Sequence, residues 1–224
     1  PDICYPVGYM DRLQQNSGHQ HWIALKRIVR YLQGTKNLVL TLKRNEQIEQ
    51  LVGFADADGA ADTVDRKSVS GYQSEIFRSE NQRGRELGYM FKVYGNTVSW
   101  SSKKQSTVAI LSSEAEYVAL SAATAEAIWL KGLLEDLGLR FTKPVPIFED
   151  NRGFIGTSKN LECKRVKHID IKYHFVRDHI AKENIIVEPI STLNQLADIF
   201  TKPLEAGRFE VLRKKLGVND REGV

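Results

Sequence analysis

Four carboxylates in this 224-residue chain stand apart from the others. Asp56 closes the apolar run Leu51-Val52-Gly53-Phe54-Ala55, and Glu116 lies near the start of a long segment of helical periodicity. Asp150 follows Pro144-Val145-Pro146-Ile147-Phe148-Glu149, and Asp198 sits inside Leu196-Ala197-Asp198-Ile199-Phe200. Most of the 28 acidic residues lie in polar company. Acids at the edges of apolar elements are the ones a fold can gather around a cation. Mg²⁺ is a hard ion that takes oxygen ligands, and two such ions about 3.5–4 Å apart can clamp the attacking and leaving oxygens of a phosphodiester. Each acid also has a plain structural role open to it: Asp56 as a turn residue, Asp150 as a helix N-cap, Glu116 closing the capping box Ser113-Glu114-Ala115-Glu116, and Asp198 as a water-facing side chain.

The elements that must position these acids can be read from hydrophobic period. Trp22, Leu25, Ile28/Val29 and Leu32 form one helical stripe, and Gly34 stops it. Leu38–Leu42 and Leu51–Ala55 read as strands. Phe91–Tyr94 and Thr97–Ser101 flank Gly95-Asn96 as a hairpin with a two-residue primed turn. From Ser112 to Leu137 the apolar positions keep a 3.6-residue period for seven turns, ended by Gly138. Pro144–Glu149 is a strand, Arg152–Ser158 and Ile171–Lys182 are helices, and Asn184–Glu188 is a last strand. A final helix is expected over Leu193–Leu204, ended near Pro203. Trp22, Trp100 and Trp129 fall on apolar stripes and are assigned to packing. The order is that of a mixed α/β layer fold.

With 42% hydrophobic and 27% charged residues, the composition is that of a folded domain and excludes wholesale disorder. No apolar run approaches the roughly 20 residues of a membrane span and no secretory pattern opens the chain, so an intracellular location is expected. Cys4 and Cys163 are too few for a disulfide framework or a thiolate metal site. The net charge of +4 divides into +3 over residues 1–50, −3 over 51–150 and +4 over 151–224. An acidic middle between basic ends suits carboxylates gathered for a cation beside surfaces for a polyanion; ordinary solvated charge gives the same sums.

Seven strings then carry a resemblance. Phe54-Ala55-Asp56-Ala57-Asp58, Asp65-Arg66-Lys67-Ser68-Val69-Ser70-Gly71-Tyr72, Val98-Ser99-Trp100-Ser101-Ser102-Lys103-Lys104-Gln105 and Ser112-Ser113-Glu114-Ala115-Glu116-Tyr117 are followed by Phe148-Glu149-Asp150-Asn151, Lys167-His168-Ile169-Asp170-Ile171 and Gln195-Leu196-Ala197-Asp198-Ile199-Phe200-Thr201-Lys202-Pro203-Leu204. In this order and spacing they resemble the ribonuclease H region of copia-type LTR-retrotransposon Pol polyproteins. Residues 1–45 resemble the tail of the preceding reverse-transcriptase region, 51–206 the ribonuclease H-like domain, and 207–224 a C-terminal tail. The resemblance implies a five-stranded mixed sheet flanked by helices, with a short N-terminal helical appendage. It implies an endonuclease that cuts the RNA strand of an RNA–DNA hybrid during reverse transcription. Asp56, Glu116, Asp150 and Asp198 match the family's catalytic, metal-binding acids, for two Mg²⁺ ions that Mn²⁺ can replace.

Hybrid recognition is expected to rest on phosphate and 2′-hydroxyl contacts. Asn151, Arg152, Lys164, Arg165, Lys167, His168 and Lys172 are the candidates; a solvated helix face is the bland alternative for the basic cluster. The expected partners are the hybrid and the parent polyprotein's reverse-transcriptase domain, in a cytoplasmic virus-like particle if the element is active. Two departures stand against this. Gly71-Tyr72 recurs as Gly88-Tyr89, and the polar stretch 73–89 reads as an insertion in the second strand of the domain. The chain also opens inside a domain without the polymerase core, as a fragment would. A catalytically inactive remnant that folds and binds nucleic acid is the alternative reading, and a DNA-cutting relative of the same fold is a weaker third.

Overall fold

The computed structural model describes residues 1–43, 50–58, 86–105, 112–151 and 167–221. Two short helices, α1 (Cys4–Asp11) and α2 (His19–Gly34), lead to strand β1 (Leu38–Leu40). Strands β2 (Leu51–Ala57), β3 (Glu86–Val93) and β4 (Asn96–Lys104) precede the long helix α3 (Ser112–Asp136). Then come β5 (Val145–Glu149), α4 (Lys167–Ala181) and β6 (Ile185–Pro189), and at the end α5 (Ala206–Lys215) and β7 (Val218–Asp220).

The main sheet has the order β4-β3-β2-β5-β6. The β4, β3 and β2 pairings are antiparallel, whereas β2–β5 and β5–β6 are parallel. This is the five-stranded mixed sheet flanked by helices that the family resemblance implies. Every residue of β2 is buried, as a central strand covered on both faces must be. Its alternation divides the core: Leu51 and Ala55 pack with Tyr117, Leu120, Ala123 and Ala127 of α3, and Val52 and Phe54 pack with Leu196, Ile199, Phe200, Leu212 and Leu216. Asp56, two residues beyond Phe54, shares the second face.

Several expectations shift. The hairpin turn is Tyr94-Gly95 rather than Gly95-Asn96. Both turn residues have positive φ, 48° and 78°, as a type I′ turn needs, and the Asn96 amide bonds the Tyr94 and Val93 carbonyls. Gly88 and Tyr89, read as the end of an insertion, lie within β3 and pair with Asp56 and Ala55, so the second Gly-Tyr copy builds the strand. Residues 73–85 of that stretch, with 59–72 before it, lie outside the described residues, as does the helix expected over Arg152–Ser158.

The expected α-helix over Leu193–Leu204 is instead two 3₁₀ turns, Thr192–Asn194 and Leu196–Phe200. Gln195 between them has extended backbone, and all five residues from Leu196 to Phe200 are buried. A segment buried on every side is a wedge in the core and has no solvent face for an amphipathic helix. The last helix comes after Pro203, in what reads from sequence as a tail: α5 buries Leu212, and β7 pairs antiparallel with β1, Leu40 opposite Val218. Trp22 and Trp129, expected to pack, are 56% and 60% exposed, and Trp100 alone of the three packs against the core.

Candidate metal centre

Strands β2 and β5 run parallel, so their C-terminal ends lie side by side, and Asp56 and Asp150 fall there. The ladder between them pairs Gly53 with Ile147 and Phe54 with Phe148, and its pairing ends there. Gln195 enters the gap. Its fully buried side chain donates from Nε2 to the Ala55 carbonyl at 2.8 Å and accepts the Ala197 N–H at 3.1 Å. That bridge starts the 3₁₀ turn that carries Asp198. One oxygen each of Asp56, Asp150 and Asp198 lie within 4.8 Å of one another. The structure therefore brings together three of the four acids picked out from sequence.

The fourth, Glu116, reaches the same strand end from α3 on the opposite face. Its Oε2 accepts the Ala57 N–H at 3.0 Å, so it holds the residue next to Asp56 in place. Burial, reinforced by the charges of Asp56 and Asp150, pushes Glu116 up to about 9. Burial also pushes Asp56 up to about 6, with Lys202 pulling against it. Carboxyls held this far above their ordinary range are groups in want of a cation. Asp198 faces no water: it is 3% exposed, against the water-facing role open to it in the sequence.

Several further participants were not singled out from sequence, and all but Glu149 lack the mark of an acid at the edge of an apolar element. Thr201 Oγ1 donates to Asp56 Oδ2, and Lys202 Nζ lies 2.8 Å from Asp198 Oδ1 and 3.6 Å from Asp56 Oδ2. Arg208 of α5 lies 3.3 Å from Asp198 Oδ2. Lys202 follows Asp198 by four residues, a spacing that could have flagged it. Glu149, fully buried, turns the chain after β5: its Oε1 accepts the N–H groups of Asp150 and Asn151 at 3.1 and 3.2 Å. Burial first, then the charges of Glu116 and Asp56, hold its carboxyl well above the carboxylate range.

The residues present fit a divalent cation. The donors are carboxylate oxygens; Glu149 Oε2 is buried without a hydrogen-bond donor among the described residues, and Asp198 Oδ1, also buried, has no partner among them but Lys202. An ammonium already stands where positive charge is wanted. Of the nucleic-acid candidates, Asn151 sits half-buried beside Asp150, and Lys172 is half-buried on α4. Lys167 and His168 begin that helix, and Arg152, Lys164 and Arg165 lie outside the described residues.

The chain is 37% identical over 220 residues to the retrovirus-related Pol polyprotein from transposon TNT 1-94 of Nicotiana tabacum, an alignment covering 98% of this chain. Identity to the Pol polyprotein from transposon RE1 of Arabidopsis thaliana is also 37%, over 97% of this chain. The chain spans 15% and 14% of the length of these relatives. No protein-family model matches it. Among solved structures, LC11-RNase H1 in complex with RNA/DNA hybrid covers 67% of this chain and 93% of its own, at 13% identity and a TM-score of 0.46, a likeness of outline only.

Proposed function

The chain belongs to the copia-type retrotransposon Pol polyproteins, and from that premise we propose that it is a metal-dependent endonuclease that hydrolyses the RNA strand of RNA–DNA hybrids during reverse transcription. One observation carries this reading: oxygens of Asp56, Asp150 and Asp198 converge within 4.8 Å at the C-terminal ends of two parallel strands.

Asp56, Asp150, Asp198 and Glu116 hold divalent metal, Mg²⁺ in the cell with Mn²⁺ able to replace it. When bound, a pair of such ions supplies an activated water and stabilises charge on the leaving 3′ oxygen. The remaining work falls to positioning. Gln195 and Glu149 set the two strand ends, and Thr201 and Arg208 each hold one oxygen of Asp56 and Asp198. Asn151, Arg152, Lys164, Arg165, Lys167, His168 and Lys172 meet phosphates and 2′-hydroxyls, which separate RNA from DNA without reading sequence.

The partners are the hybrid and the reverse-transcriptase domain of the parent polyprotein. Trp22, Leu25, Val29 and Leu32 of α2, each more than 40% exposed, support the second partnership, because such a stripe is the kind a neighbouring domain covers. The place of work is then the cytoplasmic particle of the element. Cleavage of a labelled hybrid by the purified chain, with Mg²⁺ or Mn²⁺ and beside RNA and DNA duplexes, tests the proposal. Hybrid-only cutting that is lost in Asp150→Asn is the expected result. A folded chain that binds the hybrid and cuts nothing with either metal makes the inactive remnant the better reading.

A further inference from the structure

The centre already contains a cation of its own. Lys202 Nζ lies 2.8 Å from Asp198 Oδ1 and 3.6 Å from Asp56 Oδ2, between two of the three acids whose oxygens converge. We infer that Lys202 is a built-in counter-cation that holds Asp56 and Asp198 together in the metal-free chain and must withdraw from them when a divalent ion binds. The inference rests on the reading of Asp56, Asp150 and Asp198 as a metal-holding set.

The distribution of contacts sets Lys202 apart from the other groups at the centre. Asp56 Oδ2 keeps the Thr201 hydroxyl, and Asp198 Oδ2 keeps Arg208. Asp198 Oδ1 is buried and, among the described residues, has the Lys202 ammonium as its one partner. It is therefore the oxygen that a metal would take, and the ammonium is what stands at it. Mg²⁺ requires ligands at about 2.0–2.1 Å, which puts a double charge within a few ångströms of Nζ inside a cage that burial keeps poor in water. Like charges at that separation compete. Lys202 also has a way out: its side chain is 31% exposed, against 4% for both aspartates, and a four-carbon stem can swing its head to water while Thr201 stays in place.

The test compares the wild-type chain with Lys202→Met, which keeps the stem and removes the charge, and with Lys202→Arg, which keeps the charge. Two quantities are read without any substrate: thermal unfolding in EDTA, and Mn²⁺ affinity from the electron paramagnetic resonance of unbound Mn²⁺. Lys202→Met is expected to melt several degrees lower without metal and to bind Mn²⁺ roughly tenfold tighter, the change a single nearby charge makes in the occupancy of a carboxylate site. Lys202→Arg is expected to melt near wild type and bind no tighter. Unchanged or weaker Mn²⁺ binding by Lys202→Met overturns the inference, because a merely structural or metal-assisting lysine gives that result.

A second measurement uses the wild-type chain alone, so the folding of the variants does not decide the matter. Acetylation of Lys202, followed by mass spectrometry, is expected to rise several-fold on adding Mg²⁺; unchanged or falling reactivity overturns the inference. Failure of the nuclease reading looks different. A chain that cuts no hybrid yet shows tighter Mn²⁺ binding in Lys202→Met and metal-exposed Lys202 keeps the counter-cation and loses the enzyme, whereas hybrid cleavage without either effect does the reverse.

Discussion

Gly88 lies directly across the β2–β3 ladder from Asp56, and the space a side chain at Gly88 would need is filled by Thr201, whose hydroxyl bonds that same aspartate. The missing side chain in one strand thus admits the segment that completes the acidic cluster. A Cβ on Gly88 would lie 2.7 Å from Thr201 Cγ2 and 2.8 Å from Phe200 Cβ, closer than packed carbons approach. Gly88→Ala is predicted to cost about 1–3 kcal/mol, as overpacking does, and to weaken Mn²⁺ binding by moving Asp198 away from Asp56. Urea unfolding with and without Mn²⁺ reads both effects; an unchanged midpoint would show that the 3₁₀ segment yields without strain.

Gln195 should matter more than a neutral side chain usually does. Gln195→Leu leaves the Ala55 carbonyl and the Ala197 N–H without the partners described here, and each buried group left unpaired costs about 1–3 kcal/mol. Denaturant midpoints check the loss. Metal affinity should fall with it, because the same amide ties the end of β2 to the turn bearing Asp198.

Without metal, the chain is predicted to lose stability as pH rises. Glu116 and Asp56 hold their protons more tightly folded than unfolded, so their contribution is complete below their ordinary values of 4.5 and 3.8 and is lost as pH climbs through about 9 and 6. The slope approaches about 1.4 kcal/mol per pH unit for each proton retained. Thermal unfolding in EDTA across this window measures it, and Glu116→Gln should flatten the dependence between pH 6 and 9. A metal-free stability that increases with pH over this range would contradict the environment described for Glu116.

Metal should reverse that loss. A ligand that binds only the folded chain stabilises it by about 2.7 kcal/mol at a concentration 100 times its dissociation constant. Added Mg²⁺ or Mn²⁺ is therefore predicted to raise the melting temperature of the wild-type chain near neutral pH, and to do so far less in Asp150→Asn. Equal stabilisation of the two proteins would remove Asp150 from the metal-holding set.

The C-terminal segment is predicted to be part of the domain core. Leu212 of α5 is fully buried in the cluster containing Phe54, Ile199 and Phe200, with Leu38 and Leu40 of the N-terminal appendage packed against it. Leu212→Ala should cost about 2–5 kcal/mol, the range for a large-to-small change in a closed core. A change of only a few tenths in the unfolding free energy would show that residues 206–220 are an appendage after all.

Much of this protein was legible in its sequence because the relevant signals are local. Burial on both faces makes β2 a continuous apolar run, seven turns of 3.6-residue period mark α3, and an acid at the end of such an element is visible without knowing what it faces. The same locality explains the misses. Asp198 sits in a run buried on every side, which has the hydrophobicity of a helix and the geometry of a 3₁₀ wedge, because Gln195 before it is extended, donates its side-chain amide to the Ala55 carbonyl of β2 and accepts the Ala197 N–H. α5 has a weakly apolar sequence whose burial depends on β1 and Phe54, more than 150 positions away.

By itself, then, the sequence determined the mixed α/β class, most of the strands and helices from α2 to β6, and the placing of four acids at the edges of apolar elements, since each follows from residue type and short-range period. Tertiary structure alone decided which groups balance the charge of those acids. Thr201, Lys202, Gln195 and Arg208 are ordinary residues until β2 and the Leu196–Phe200 turn meet, because a hydrogen bond or an ion pair depends on separation in space, and 145 residues of chain separate Asp56 from Thr201.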